Sequence, residues 1–190
     1  SLASSERLPR LGRLHALWAL GQLASRHQSA AAGKALVAMI DDADFEVRTQ
    51  AIRVLGEAHF SDAGEKISAH LSDENPRVRL FALLAVGKLG YRPAETILWE
   101  NYAQIVGEDR YLRHAAVAAL SQLSTVETLR EKSQSTEASI RLLTLLVYRR
   151  WSDPADVGWF PMINDQPADH TAAIIPFLRD ADPWIATEAA

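Results

Sequence analysis

The chain has 190 residues, 48% of them hydrophobic and 23% charged, with a formal net charge of -4 and no cysteine. That is enough apolar material for one ordinary domain, and without cysteine there are no disulfides, thiolate metal sites, thiol nucleophiles or haem held by a C-x-x-C-H motif. The acidic balance argues against nucleic acid, whose binding takes a strongly basic face that releases phosphate counterions.

Aromatic residues make up only 7% while Ala and Leu are abundant, so local propensity favours helix almost throughout. The first predicted helix carries Arg13 to Gly21. A short amphipathic helix at 32–40 is followed by Asp44 and a helix holding Arg48 to Gly56; another at 63–71 by Asn75 and Arg79 to Gly87. The pattern continues with 93–106, Asp109 and Arg113 to Ser121; then 126–132, Glu137 and Arg141 to Arg149; then 171–178, Asp182 and a partial copy that begins at Trp184. From the second copy onward a polar residue stands four positions before the arginine or its equivalent, Asp44, Asn75, Asp109, Glu137 and Asp182, and most of these are good N-caps, because a short side chain there accepts a backbone N–H of the first turn. Pro76 and Pro183 fit the first helical position, where the missing donor costs nothing.

The arginines at 13, 48, 79, 113 and 141 are 35, 31, 34 and 28 residues apart, close to the length of a two-helix repeat. Three residues after each stand Ala16, Ala51, Ala82, Ala116 and Thr144, and seven after it Leu20, Leu55, Val86, Leu120 and Tyr148. With Val47, Val78, Leu112 or Ile140 just before the arginine, these fill the stripe of a helix buried on one side. An isolated pair of this kind cannot cover its own apolar face, so stability comes from stacking on neighbours. One stretch breaks the period: Arg141 and position 186 are 45 residues apart, and 151–170, with Trp151, Trp159 and Phe160, reads as an irregular insertion that either folds back over the repeats or packs against the last of them.

The order Leu36, Met39, Ile40, Asp42, Phe45, Val47, Arg48, Ala51, Leu55, Gly56, repeated as Leu71, Asp73, Pro76, Val78, Arg79, Ala82, Val86, Gly87, resembles HEAT repeats and the phycobilisome-lyase-like HEAT repeats. It implies an all-α fold, a right-handed α-solenoid (α-α superhelix) of about five to six HEAT-like helix pairs, with residues 1–190 as a single repeat domain. The chain opens at Ser1 without methionine and stops inside a predicted helix, so it is read as part of a longer protein. The resemblance further implies a hydrogen-bonded ladder of aspartate and arginine between adjacent repeats, formed here by Asp42, Arg48, Asp73 and Arg79, with Asp180 as a further member. Gly107 and Ser135 replace the aspartate, and Ala186 the arginine, in other copies, so an incomplete ladder is expected. The phrase Arg13 to Leu20 is similar, more narrowly, to the HEAT-array part of large bacterial membrane-bound dehydrogenases or haem-binding proteins.

No catalytic, metal or cofactor residues are assigned. The six histidines, at 15, 27, 59, 70, 114 and 170, lack the i, i+4 spacing of a helical metal site and are expected at the surface. The acidic pairs Asp41–Asp42, Asp73–Glu74 and Glu108–Asp109 precede second helices, where an anion is favoured and a proton donor is not. What departs from a plain scaffold is the row two and five residues after each arginine, expected to point away from the core along one inner surface. It holds His15, Trp18, Arg53, Phe81, Leu84, Leu143 and Leu146, with Gln50, Ala115 and Ala118 between them. An exposed apolar strip there marks a contact for a protein partner or a neighbouring domain of the same chain.

The expected function is therefore a non-catalytic interaction scaffold within a larger multidomain protein. The alternatives are a helical-repeat enzyme, similar to a bilin lyase or an alkylpurine DNA glycosylase, and a structural spacer. No apolar run approaches the roughly 18 residues of a membrane span, so no membrane insertion by this segment is expected. The compartment is left open, since an absence of cysteine suits oxidising and reducing surroundings alike.

Overall fold

A computed structural model describes residues 9–104, 107–152 and 170–190. Among the described residues every regular element is helical: α1 (Arg10–Arg26), α2 (Ala30–Val37), α3 (Phe45–Glu57), α4 (Gly64–Ala69), α5 (Pro76–Leu89), α6 (Ala94–Tyr102), α7 (Arg110–Leu123), α8 (Val126–Lys132), α9 (Ala138–Ser152), α10 (Thr171–Ile174) and α11 (Pro183–Ala189). Short 3-10 turns lead into α4 and follow α4 and α10. The chain divides into two compact units, one through Tyr91 and one from Arg92 onward.

The second helices begin where their caps put them. Asp44, Asn75, Asp109 and Asp182 each accept a backbone N–H of the next turn through the side chain, which is worth about 1 kcal/mol per cap. Trp151 and Ser152, at the start of the predicted insertion, close α9, and His170 leads into α10. Residues 153–169, with Trp159 and Phe160, lie outside the described residues.

In the first unit α1 packs on α2 and α3, and α5 on α3 and α4. Leu17, Leu36, Ile52, Leu55, Ile67 and Leu83 are fully buried between them, each side chain contributing on the order of 1.5–3 kcal/mol. Glycine lets the second helices approach closely. A Cβ on Gly56 would stand 2.9 Å from the backbone Cα of Ala85, and one on Gly21 would overlap the side chain of Val54.

A second device recurs 31 residues apart. His59 and Gly90 take left-handed backbone at φ 50° and 61°, and the next residues, Phe60 and Tyr91, donate back to Leu55 O and Val86 O at 3.1 and 3.0 Å. This turn closes each second helix in the manner of a Schellman motif. It carries the following aromatic ring onto a glycine of the first helix: Phe60 fills the space a Cβ on Gly33 would take, and Tyr91 does the same at Gly64.

In the second unit α6 packs on α7, and α9 is surrounded by α7, α8, α10 and α11. Ala115 through Leu123 are all buried on α7. Arg92 Nη1 donates to Leu123 O at 2.9 Å, covering one of the free carbonyls at the end of α7. Trp151 Nε1 donates to Ser121 O at 2.9 Å, inside a cluster with Tyr148, His170 and Phe177.

Gly56→Ala tests the close approach. The added methyl meets backbone rather than a movable side chain, so overpacking of about 1–3 kcal/mol outweighs a gain of up to about 1 kcal/mol in helix propensity. Chemical denaturation should show a lowered midpoint.

Candidate functional site: a charge ladder and an inner groove

Three rungs join second helices to the turn of the following copy. Arg48 Nε and Nη2 donate to the two oxygens of Asp73, both at 3.1 Å. Arg141 grips Asp180 in the same two-pronged way at 2.7 and 2.8 Å, and Arg13 Nη2 donates to Asp42. The remaining nitrogen works within its own copy: Nη1 of Arg48 donates to the carbonyls of Asp42 and Ala43, and that of Arg141 to Ser135 and Thr136, at 2.8–3.2 Å. Arg79, expected in the ladder, keeps this inner half, donating to the carbonyls of Asp73 and Glu74 at 2.8 and 3.1 Å, but forms no rung among the described residues, because the next copy has Gly107 where the aspartate would stand.

Each rung aspartate is held from behind by the backbone N–H two residues on, from Asp44, Asn75 and Asp182 respectively, at 2.9 Å. Such forked, charge-assisted bonds fix geometry as well as adding energy. At Gly107 and Ser135 the chain supplies no carboxylate. Arg113 instead places its guanidinium over the Trp184 ring, 5.9 Å from the centroid.

His70 is half-buried, against the surface position expected of it, because Asp41 Oδ1 lies 3.0 Å from Nε2 and Asp73 Oδ2 3.2 Å from Nδ1. Lys66 completes this edge, 2.7 Å from Asp41 and 3.1 Å from Val37 O. His170 is buried too, among aromatic rings.

The Lys66 ammonium, with His70 beside it, holds the Asp41 carboxyl below its ordinary value. The Arg141 fork does the same to Asp180, and Asp180 in turn raises Arg141. Burial pushes Asp73 up, but the bonds from Arg48, the Asn75 N–H and His70 outweigh it and leave that carboxyl lowered.

The inner row divides between the units. In the first, Trp18 (44% exposed), Gln22 and Ser25 of α1 face Gln50, Arg53 and Glu57 of α3 across a groove of about 360 Å³ floored by Gly21, Val54 and Ala58. Arg53 and Glu57 also border a separate, water-sized depression of about 30 Å³ with Phe81, Leu84 and Lys88 of α5, so a furrow of uneven depth, divided by these two side chains, runs over three helices. His15 stacks beside Trp18 at 5.4 Å between ring centroids.

A polar strap runs along this face. Trp18 Nε1 donates to Gln50 Oε1 at 3.2 Å, Gln50 Nε2 to Glu46 at 2.9 Å, and Arg77 pairs with Glu46 at 3.2 Å while lying over the Phe81 ring. Gln50 lies on the inner row as expected but is buried rather than exposed, with both ends of its amide satisfied by Trp18 and Glu46. In sequence nothing but its polarity in an otherwise open row marked it.

In the second unit the row closes. Leu143, Ala115 and Ala118 are buried, and Leu146 is half-buried, against the expectation of an exposed strip. The reason is packing: α9 contacts α7, α8, α10 and α11, so its surface is largely taken up by neighbouring helices. Trp18, Arg53, Phe81 and Leu84 line the furrow of the first unit, with His15 beside Trp18; Leu143 and Leu146 belong to the second unit.

Residues 33–121 match the family of HEAT repeats. Among solved structures, the chain is similar to the archaeal HEAT-like repeats protein from Thermococcus onnurineus NA1 at 18% identity and a TM-score of 0.56, over 91% of this chain and 72% of that one. It is similar to a chain of the complex of CpcE and CpcF of phycocyanin lyase from Nostoc sp. PCC7120 at 18% identity and a TM-score of 0.58, over 99% and 71%. An engineered protein shares 17% identity over 99% and 90%, with a TM-score of 0.52. No curated protein matches. The fold is thus an all-α array of HEAT-like repeats of the α-solenoid class, an architecture commonly used to hold other proteins. Among the described residues no helix is long and apolar enough to cross a membrane.

The lowered carboxyls set a direction for acid. Asp73 and Asp180 titrate below the value of an unfolded chain, so they contribute stability above about pH 4 and lose it as pH falls through their folded values. Asp73→Asn and Asp180→Asn should each lower stability at neutral pH and flatten its decline in acid, read as denaturation midpoints from about pH 7 to pH 3.

Proposed function

We propose that this chain is a non-catalytic interaction scaffold, which holds a protein partner or a neighbouring domain of a larger multidomain protein in the furrow of α1, α3 and α5. The observation that carries the reading is Trp18. Its indole stands 44% exposed at the furrow wall, yet its N–H is fixed to Gln50 and through it to Glu46 and Arg77. A large aromatic side chain held open in this way costs water contact unless something covers it, and Phe81 and Leu84 extend the same surface.

The multidomain setting rests on the phrase Arg13 to Leu20, which lies outside the matched residues 33–121. The lyase reading has less behind it, since likeness at 18% identity carries the fold alone; a bilin whose absorption shifted on mixing with the protein would favour it.

Trp18→Ala, Phe81→Ala and Leu84→Ser combined should leave the helical circular dichroism intact, because Trp18 is half in water and Phe81 and Leu84 are only partly covered. With a photo-crosslinking side chain at Gln22, the parent should capture a partner from native lysate that the triple variant loses. Equal capture by both would support a structural spacer instead.

A further inference from the structure

The geometry points to a carboxylate-binding site at Arg79, where the ladder lacks an acid, and to an aspartate in a short turn of another protein as the group that fills it. Three arginines are clamped alike from within their own copies. Nη1 donates to the carbonyls six and five residues back, at 2.8 and 3.2 Å for Arg48, 3.0 and 3.1 Å for Arg141, and 2.8 and 3.1 Å for Arg79. A planar guanidinium pinned at one nitrogen by two backbone carbonyls has its other edge aimed in advance. On Arg48 and Arg141 that edge, Nε and Nη2, grips a carboxylate at 2.7–3.1 Å. On Arg79 the same edge meets no carboxylate among the described residues.

Sequence accounts for the gap. Asp42, Asp73 and Asp180 stand six positions before the arginine of their copy or its equivalent, and the copy after Arg79 has Gly107 at that position. Arg79 is half-buried like Arg48 and Arg141. A guanidinium stays charged and is costly to leave unpaired where water is scarce, so its open edge favours an anion. Two parallel N–H groups select the paired oxygens of a carboxylate over a monatomic ion. Asp73 and Asp180 show the form that fits, each braced by the backbone N–H two residues on, at 2.9 Å. Arg79 lines neither part of the furrow, so this site is separate from the surface proposed above and does not depend on it.

The test follows the arginine Nε–H signals of the full chain by NMR, at constant ionic strength, as one of three probes replaces chloride. The probes are acetate, the capped peptide Ser-Asp-Glu-Asn-Pro that copies residues 72–76, and that peptide with Asn in place of Asp. The Arg79 signal should shift saturably with the Asp peptide, at a Kd on the order of 1 mM, and about tenfold or more weakly with acetate or the Asn peptide. The signals of Arg48 and Arg141 should stay in place, because their edges are taken. Arg79→Lys, which keeps the charge and removes the fork, should abolish binding of the fluorescein-labelled Asp peptide read by anisotropy. The NMR result on the unaltered chain stands even where that variant fails to fold.

An Arg79 signal that stays still, or that moves no more than that of Arg26, exposed at the end of α1, would overturn the site. Acetate bound as tightly as the Asp peptide would overturn the protein source and leave a small free carboxylate as the ligand. Equal binding of the Asn peptide would overturn the carboxylate itself. The furrow reading falls separately, since its triple variant leaves Arg79 in place.

Discussion

The register of the first unit rests on one guanidinium used twice. Nη1 of Arg48 closes the turn of its own copy on two carbonyls, and its other nitrogens hold Asp73 at the turn of the next. Because the fork is planar and both acceptors are fixed to backbone, the turns cannot slide past each other without breaking several charge-assisted bonds at once. Arg13 and Asp42 set the preceding step. Residues at equal distances after these arginines therefore line up across α1, α3 and α5, and the furrow follows from that alignment.

The ladder works together with the glycines. Gly21 and Gly56 bring second helices close at their C-terminal halves, while the arginine rungs tie their N-terminal ends. Phe60 and Tyr91 seat each first helix by filling the space over Gly33 and Gly64. A helix pair too short to be stable alone is thus fixed at three points, leaving the inner row, the buried Gln50 apart, at least partly open in this unit. In the second unit α9 contacts four other helices, and most of the same row is buried.

Much of this architecture was legible in the chain. The second helices could be placed because alanine and a larger apolar residue recur three and seven positions after each arginine, and their starts because Asp44, Asn75, Asp109 and Asp182 precede them. The arginine and aspartate columns were visible as columns, but which arginine meets which aspartate was not, since partners lie 25 to 39 residues apart. The burial of Leu143 was illegible for a related reason: periodicity tells which face of a helix is apolar, not how many neighbours that helix acquires. The pairing of Phe60 with Gly33 and of Tyr91 with Gly64 did leave a trace, two aromatic residues and two glycines each 31 apart, though it takes the left-handed turn between them to give it meaning.

Burial sorts the arginines of this protein into two kinds that sequence alone does not separate. In the Arg48–Asp73 and Arg141–Asp180 rungs the side chains are 7–16% exposed. There, removing either partner strands a charge in a poorly solvated place, which makes these pairs structural whatever their net worth. Arg53 and Glu57 are joined by the same chemistry at the same kind of distance, but both stand nearly half in water. Either partner of that pair can be replaced by an incoming ion at little cost. An arginine that is costly to unpair holds a fold together, and one that is cheap to unpair, set between Trp18 and Leu84 at the middle of an open furrow, is suited to meeting something else.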